Sequence, residues 1–198
     1  MSTVIVTADV VDSTAVKKRY HESTAVKKIR AALEDLRHEL SKVDPTLTVP
    51  VPYAGDSILL IGGTRPLEIF RAAVIHQAHF RDWWYGAMSI KIAIGYGAYV
   101  SEKDPEGVVS HHGSALDFLY GICNYCPPGR VVVTQSMRDM LVEAGFGDRL
   151  LECREQIKGF EGEHIFYEVV GSYEVPEGRR PPADARTRAR WFSWWRIR

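Results

Sequence analysis

Two aspartates stand where the surrounding residues would otherwise keep a charge out. The stretch "VTADVVDST" at 6–14 is β-branched and apolar, the composition of a buried strand, yet it carries Asp9 and Asp12. A buried carboxylate costs several kcal/mol unless a cation meets it, so the segment implies either a bound metal ion or a strand end facing solvent. A third aspartate, Asp56, follows Gly55 in "YAGDSILLIGG", at a turn before another apolar run. If these elements are neighbours in a sheet, Asp9 and Asp56 converge on one edge beside the backbone carbonyl of Val10. Two carboxylates and a carbonyl are hard oxygen ligands, suited to Mg²⁺ or Mn²⁺ carrying phosphates. Ser13 and Thr14 open the following helix, whose free N–H groups would face the same phosphates. Spacing alone leaves a plainer reading open: an Asp at a strand end caps a helix, and an Asp after Gly is ordinary turn chemistry. Asp12 suits a cap or loop better than a third ligand.

Other reactive residues carry less. Cys123 and Cys126 form a single C-x-x-C with no second pair or suitably spaced His, and Cys153 makes an odd total, so the pattern favours core or surface thiols in a reducing compartment over redox use, zinc or a disulfide framework. His76 and His79 lie one turn apart among apolar residues, which favours packing, and His111 and His112 fall in a polar loop.

The elements that must position the aspartates follow from periodicity. A strand over 4–11 leads into one helix capped by Ser13 or Thr14, with Ile29, Leu33, Leu36, Leu40 and Val43 at spacings of three and four, ending at Pro45. "STAVKK" occurs at 13–18 and 23–28, but ten residues rotate a helix by about 280°, so the copies do not repeat one surface. "LTVPVPYAGDSILLIGG" reads as a strand hairpin turning at Ala54, Gly55 and Asp56, its first strand at an edge because Pro50 and Pro52 donate nothing to a ladder. A helix is expected from Pro66 to Trp84, with Ile69, Ala72, Ala73, His76 and Phe80 on one face. Next comes the strand "SIKIAIGYGAYV", in which Gly95 and Gly97 imply a close backbone approach. A loop "SEKDPEGVVSHHG", a helix over Ser114–Tyr125, a strand "RVVVT", a helix capped by Ser136 and a last strand "HIFYEVV" complete the order. This mixture specifies an α+β, ferredoxin-like sandwich, a central mostly antiparallel sheet with flanking helices.

The 198 residues suit one domain and a short appendage, with 45% hydrophobic and 25% charged residues. We divide them into a domain over 1–172 and a Pro-, Arg- and Trp-rich tail over 173–198. Formal net charge is zero, which argues against a nucleic-acid binder working by bulk electrostatics. The charge is uneven: seven Arg and one acid after residue 178 give residues 179–198 +6 and the rest −6. The Arg residues interleaved with Trp191, Phe192, Trp194 and Trp195 suit an anionic membrane, nucleic acid, a partner, or packing on the protein itself. No run approaches the roughly 18 apolar residues of a membrane span, nor does the N-terminus read as a secretory signal, so a cytoplasmic location is expected.

Five segments in order, "VTADVVDST", "YAGDSILLIGG", "IKIAIGYGAYV", "SHHGSALDFLYGICNYCPPGRVVVTQSM" and "IKGFEGEHIFYEV", resemble those of class III nucleotide cyclase catalytic domains over residues 4–170. The family patterns are D-I-V-G-S-T, G-D-G, I-G-I-H-x-G, G-x-x-V-N-x-A-A-R, P-P-G and L-K-G. The resemblance implies a head-to-tail homodimer with active sites at the interface. It also implies two Mg²⁺ or Mn²⁺ ions per site held by Asp9, Asp56 and the Val10 carbonyl, a nucleoside triphosphate substrate, and attack of its 3′-hydroxyl on the α-phosphorus with loss of pyrophosphate. The partner subunit would supply base-reading groups and transition-state donors.

The departures are informative. Adenylate cyclases carry a Lys four residues before the hairpin Asp and an Asp before the G-x-x-V-N segment; here Pro52 and Ser110 stand there. Tyr53, beside Pro52, is placed to stack on or bond a base, and is also read as a half-buried edge aromatic. Asp117 and Gly121 occupy the places of the transition-state Asn and Arg, with Asp117 retained as a catalytic candidate and Arg130 and Lys158 as substitutes for the Arg. The pattern most resembles the pyrimidine cyclases of bacterial anti-phage defence, which make cyclic UMP or CMP for a separate effector. The expected activity is UTP to 3′,5′-cyclic UMP, the alternatives being an adenylate cyclase or a silent cyclase-fold module.

Overall fold

The computed structural model describes residues 2–11, 13–20, 22–50, 55–83, 88–106 and 109–170. Its backbone is a six-stranded sheet built from β1 (Thr3–Val11), β2 (Ser57–Gly63), β3 (Ser89–Gly97), β6 (Val131–Val133), β7 (Leu150–Glu155) and β8 (His164–Val169), in the order β2-β1-β3-β6-β8-β7. Every neighbouring pair is antiparallel except β3 with β6. The helices are α1 (Ser13–Arg19), α2 (Glu22–Val43), α3 (Pro66–Trp83), α4 (Ser114–Tyr125) and α5 (Gln135–Glu143), and β4 (Val100–Lys103) pairs with β5 (Val109–His112) as a separate hairpin.

Strand β1 is apolar at most positions because both of its faces are covered. Val4, Val6, Ala8 and Val10 enter a large core with residues of α2, α3 and α5, including Leu33, Leu36, Phe70 and Met137. Ile5 points the other way, into a smaller core with Leu116, Leu119 and Ile122 of α4. The side-chain period of two therefore puts Asp9 on the α4 face with Ile5. Helix α4 sits close there because glycines make room: a Cβ on Gly97 would lie 2.8 Å from Ala115 Cβ, and one on Gly95 would lie 3.2 Å from Leu119 Cδ1. The expected α+β sandwich and the close approach at Gly95 and Gly97 are thus both present.

Five local expectations are corrected. The single helix after β1 is two, α1 and α2, so the "STAVKK" copies lie on different helices. The break follows the charges: Lys17, Lys18 and Arg19 end α1 and Glu22 begins α2, each suited to the helix dipole there. Among the described residues the first hairpin strand shows one bridge, Thr48 with Ile61, and residues 51–54 of the expected hairpin lie outside them. The loop "SEKDPEGVVSHHG" contains β4 and β5, hidden from the sequence because β4 is exposed throughout and buries no apolar face. Helix α5 is capped by Thr134, whose hydroxyl accepts from Met137 N at 3.4 Å, whereas Ser136 donates to the Tyr96 carbonyl at 2.6 Å. Strand β7 escaped notice because Glu152, Arg154 and Glu155 disguise an exposed edge. The expected tail over 173–198 lies outside the described residues.

One buried carboxylate fastens the frame. Asp44, at the end of α2, is 1% exposed and accepts from Thr46 N, Thr64 N and Arg65 N at 3.0, 2.6 and 2.8 Å, and from the Thr46 hydroxyl. Burial alone would raise its pKa, but the bonds from Thr46, Thr64 and Arg65 together hold it below the usual value. A depressed folded pKa gives stability that is complete above the unfolded value of about 3.9 and lost as pH falls through the folded one. Asp44→Asn should lower unfolding free energy by about 2 kcal/mol at pH 7, with the gap to wild type closing in acid, as urea midpoints across pH will show.

Candidate functional site

The antiparallel register brings the two aspartates together. Asp9 pairs with Ser57 on β2 and with Lys91 on β3, so Asp56 lies one residue from its partner across the ladder. Val10 N donates to the Asp56 carbonyl at 2.9 Å, which ties the turn before β2 to the end of β1. The Ser13 hydroxyl, at the first residue of α1, donates to Asp56 Oδ2. Asp56 is thereby fixed from its backbone and its side chain at once.

Asp9 is held in a poorly neutralised state. Its pKa is raised, first by burial and then by the neighbouring Asp56, and the Lys91 ammonium, 3.8 Å from Asp9 Oδ2, offsets this only in part. Two carboxylates pressed together by backbone register, with one cation at the long end of ion-pair distance, form a site short of positive charge. The donor set fits a hard divalent cation: Asp9, Asp56 and, from β1, the Val10 carbonyl. Among the described residues no group of three or more His, Cys, Asp or Glu converges.

Lys91 was not anticipated. The signal was available in "SIKIAIGYG": Ile90, Ile92 and Ile94 enter the large core while Ala93 enters the α4 core, which puts Lys91 on the face that carries Asp9. Its side chain is only 16% exposed, so its charge acts within the site.

The remaining candidates are dispersed. Thr14 is exposed on α1. Asp117 is exposed in the first turn of α4, two residues from Ala115, which packs over Gly97 at the end of β3 away from Lys91, the residue paired with Asp9. Asp117 is therefore not gathered with Asp9 and Asp56 within one protomer. Asp12, Pro52 and Tyr53 lie outside the described residues. Ser110 is in β5, paired with Glu102 of β4. Arg130 is half exposed and its guanidinium is 3.4 Å from Glu168, while Lys158 is exposed after β7.

Gly121 explains itself sterically. A Cβ at this position would lie 2.3 Å from Ile157 Cγ2, a methyl on a β-branched side chain with little freedom to yield. The α4 surface that would carry an arginine is instead sealed against the segment after β7. The cysteines are equally committed to packing: Cys123 and Cys126 are buried in the α4 core, and burial foremost pushes both thiols up to about 12, so neither offers a thiolate. His76 is buried against Phe80, and burial brings its pKa down to about 3, so it packs as a neutral ring.

No family model matches the sequence, and no curated protein matches it. Solved structures do. The adenylyl cyclase CyaB from P. aeruginosa superposes with a TM-score of 0.67 at 12% identity, covering 87% of this chain and 95% of that one. The guanylyl cyclase Cya2 gives 0.68 at 17% identity, covering 89% and 95%. The guanylate cyclase domain of RhGC from Catenaria anguillulae, in complex with GTP, gives 0.59 at 16% identity, covering 86% and 97%. At these identities the likeness speaks for architecture, and the architecture of this chain is the class III nucleotide cyclase fold.

Proposed function

We propose that the protein is a metal-dependent nucleotide cyclase that converts a pyrimidine nucleoside triphosphate, UTP in first place, to its 3′,5′-cyclic monophosphate and pyrophosphate. The observation that carries this reading is the Asp9–Asp56 pair, held together by register on the α4 face and left short of positive charge. Divalent ions held by Asp9, Asp56 and the Val10 carbonyl would lower the pKa of the ribose 3′-hydroxyl and neutralise phosphate charge. Ser13 keeps Asp56 aimed by its hydroxyl bond, and Lys91 supplies a fixed cation for phosphate oxygens beside Asp9. Two Mg²⁺ or Mn²⁺ ions per site and a head-to-tail homodimer belong to the same reading, as does Asp117 acting across the interface on the partner's substrate.

The pyrimidine assignment is supported by Pro52 and Ser110 standing where adenylate cyclases carry Lys and Asp, with Tyr53 as the proposed base contact. A role in anti-phage signalling, with cyclic UMP read by a separate effector, follows the sequence resemblance. One observation favours a second reading, a silent cyclase-fold module: the sealed surface at Gly121 leaves no place for the family's arginine. The costly carboxylate pair supports the catalytic reading over it, since a domain without that chemistry gains nothing from retaining two converging charges.

Purified protein incubated with ATP, GTP, CTP and UTP and with Mn²⁺ or Mg²⁺ should yield cyclic UMP and pyrophosphate by mass spectrometry. Cyclic AMP as the main product overturns the base assignment, and no cyclic product from any triphosphate leaves the silent module. Asp9→Asn and Asp56→Asn should each reduce turnover by at least about 100-fold in a folded protein.

Asp9→Asn should also raise the thermal midpoint of the metal-free protein at pH 7. A raised folded pKa means that Asp9 favours folding only while protonated, and this contribution is lost as pH rises through the folded value. The gain should vanish near pH 3.

Gly121→Arg should lower stability by about 1–3 kcal/mol in chemical denaturation without restoring or enhancing turnover, because the side chain must displace Ile157.

A further inference from the structure

The carboxylate site occupies one end of the α4 face, and a cleft opens at the other. Strand β6 stops at Val133, while β3 continues to Gly97 and β8 begins at His164, ahead of its first pairing with β6. The gap left between β3 and β8 is floored by Ile5, Gly95 and Ile165, walled by Ala115 and Phe118 of α4, and encloses about 650 Å³, within the range of small-molecule sites. Since Ile5 pairs with Gly95 and Asp9 with Lys91, the two sites are four residues apart along β1, about 13 Å.

The polar groups of the cleft restrict what it can take. Gln135 and Ser136, in the first turn of α5 where backbone N–H groups have no partner within the helix, line one wall. Opposite in sign, Asp139 and Glu163 place two carboxylates at the rim, and no Lys or Arg is among the residues that line the cleft. A helix N-terminus is worth about half a positive charge, so two full negative charges outweigh it and disfavour a phosphorylated ligand. Both carboxylates also have protein partners: Asp139 accepts from Gln135 Nε2 at 2.8 Å and from Arg138 Nη1 at 3.1 Å, and Arg154 Nη1 lies 3.6 Å from Glu163, which reduces the attraction for a full cation. The ring of His164 donates Nε2–H to the Glu161 carbonyl at 2.9 Å. An apolar floor, one aromatic wall, a helix N-terminus on one side and carboxylates at the rim suit a flat molecule that carries both donors and acceptors.

We propose that this cleft is a second ligand site, separate from the Asp9–Asp56 pair, for an uncharged planar heterocycle of nucleobase or nucleoside size. The proposal stands independently of the cyclase reading, because it rests on the cleft between β3 and β8 alone. Saturation-transfer NMR with uridine, cytidine, adenosine and guanosine tests it on the intact chain. At least one nucleoside should bind with a dissociation constant below about 1 mM, and its 5′-monophosphate should bind about tenfold more weakly. Asp139→Trp and Glu163→Trp, both at exposed rim positions, should each weaken binding at least about tenfold by filling the mouth, while Asp9→Asn leaves it unchanged. Absence of saturable binding for all four nucleosides overturns the proposal. So does binding unaffected by either Trp variant, tighter binding of the monophosphate, or loss of binding in Asp9→Asn, which would move the nucleoside to the carboxylate end.

Discussion

Everything at the candidate site depends on the pairing of β1 with β2 and β3 at once. Hydrogen bonds along both edges fix the register, and the register fixes which side chains share a face. Asp9 has no freedom to leave Asp56, because Val10 N and the Asp56 carbonyl are themselves a rung of that ladder. The repulsion between the carboxylates is thus maintained by backbone geometry and by the two cores on either side of β1. A site assembled from flexible loops would relax and lose the charge deficit that makes a cation welcome.

Much of this was legible in the sequence. Strong periodicity gave the helix over Ser114–Tyr125 and the strand in "SIKIAIGYGAYV", which the fold ends at Gly97, because each buries a clean apolar stripe. Gly95 and Gly97 were readable as a close approach, because a strand interior has few other uses for glycine. Asp9 and Asp56 were readable as an anomaly of composition, though only the register shows that they meet. What failed to show were elements without an apolar signature: β4 and β5 stand off the main sheet, and β7 carries three charged residues along an edge. The break between α1 and α2 was missed for the opposite reason, since helix-forming residues run through it and only the charges mark it.

Gly121 shows how a departure from a family pattern acquires a physical meaning. Read as sequence, it is a missing arginine. In the fold it is a contact, since Ile157 occupies the space that a side chain would need. With Gly97 against Ala115 and Gly95 against Leu119, it seats α4 at three places along its length, so the helix that borders Asp9 at one end and the β3–β8 cleft at the other has little room to shift.

The position of β1 between β2 and β3 has a consequence for biosynthesis. Its residues leave the ribosome before β2 at Ser57–Gly63 and β3 at Ser89–Gly97, so a β-branched segment waits several seconds for both of its partners at ordinary elongation rates of about 5–20 residues per second. Uncharged segments of that kind are prone to pair with other nascent chains. Asp9 and Asp12 interrupt the segment with negative charge during that interval, so the residue that makes the finished site demanding of cations also protects the unfinished chain from aggregation.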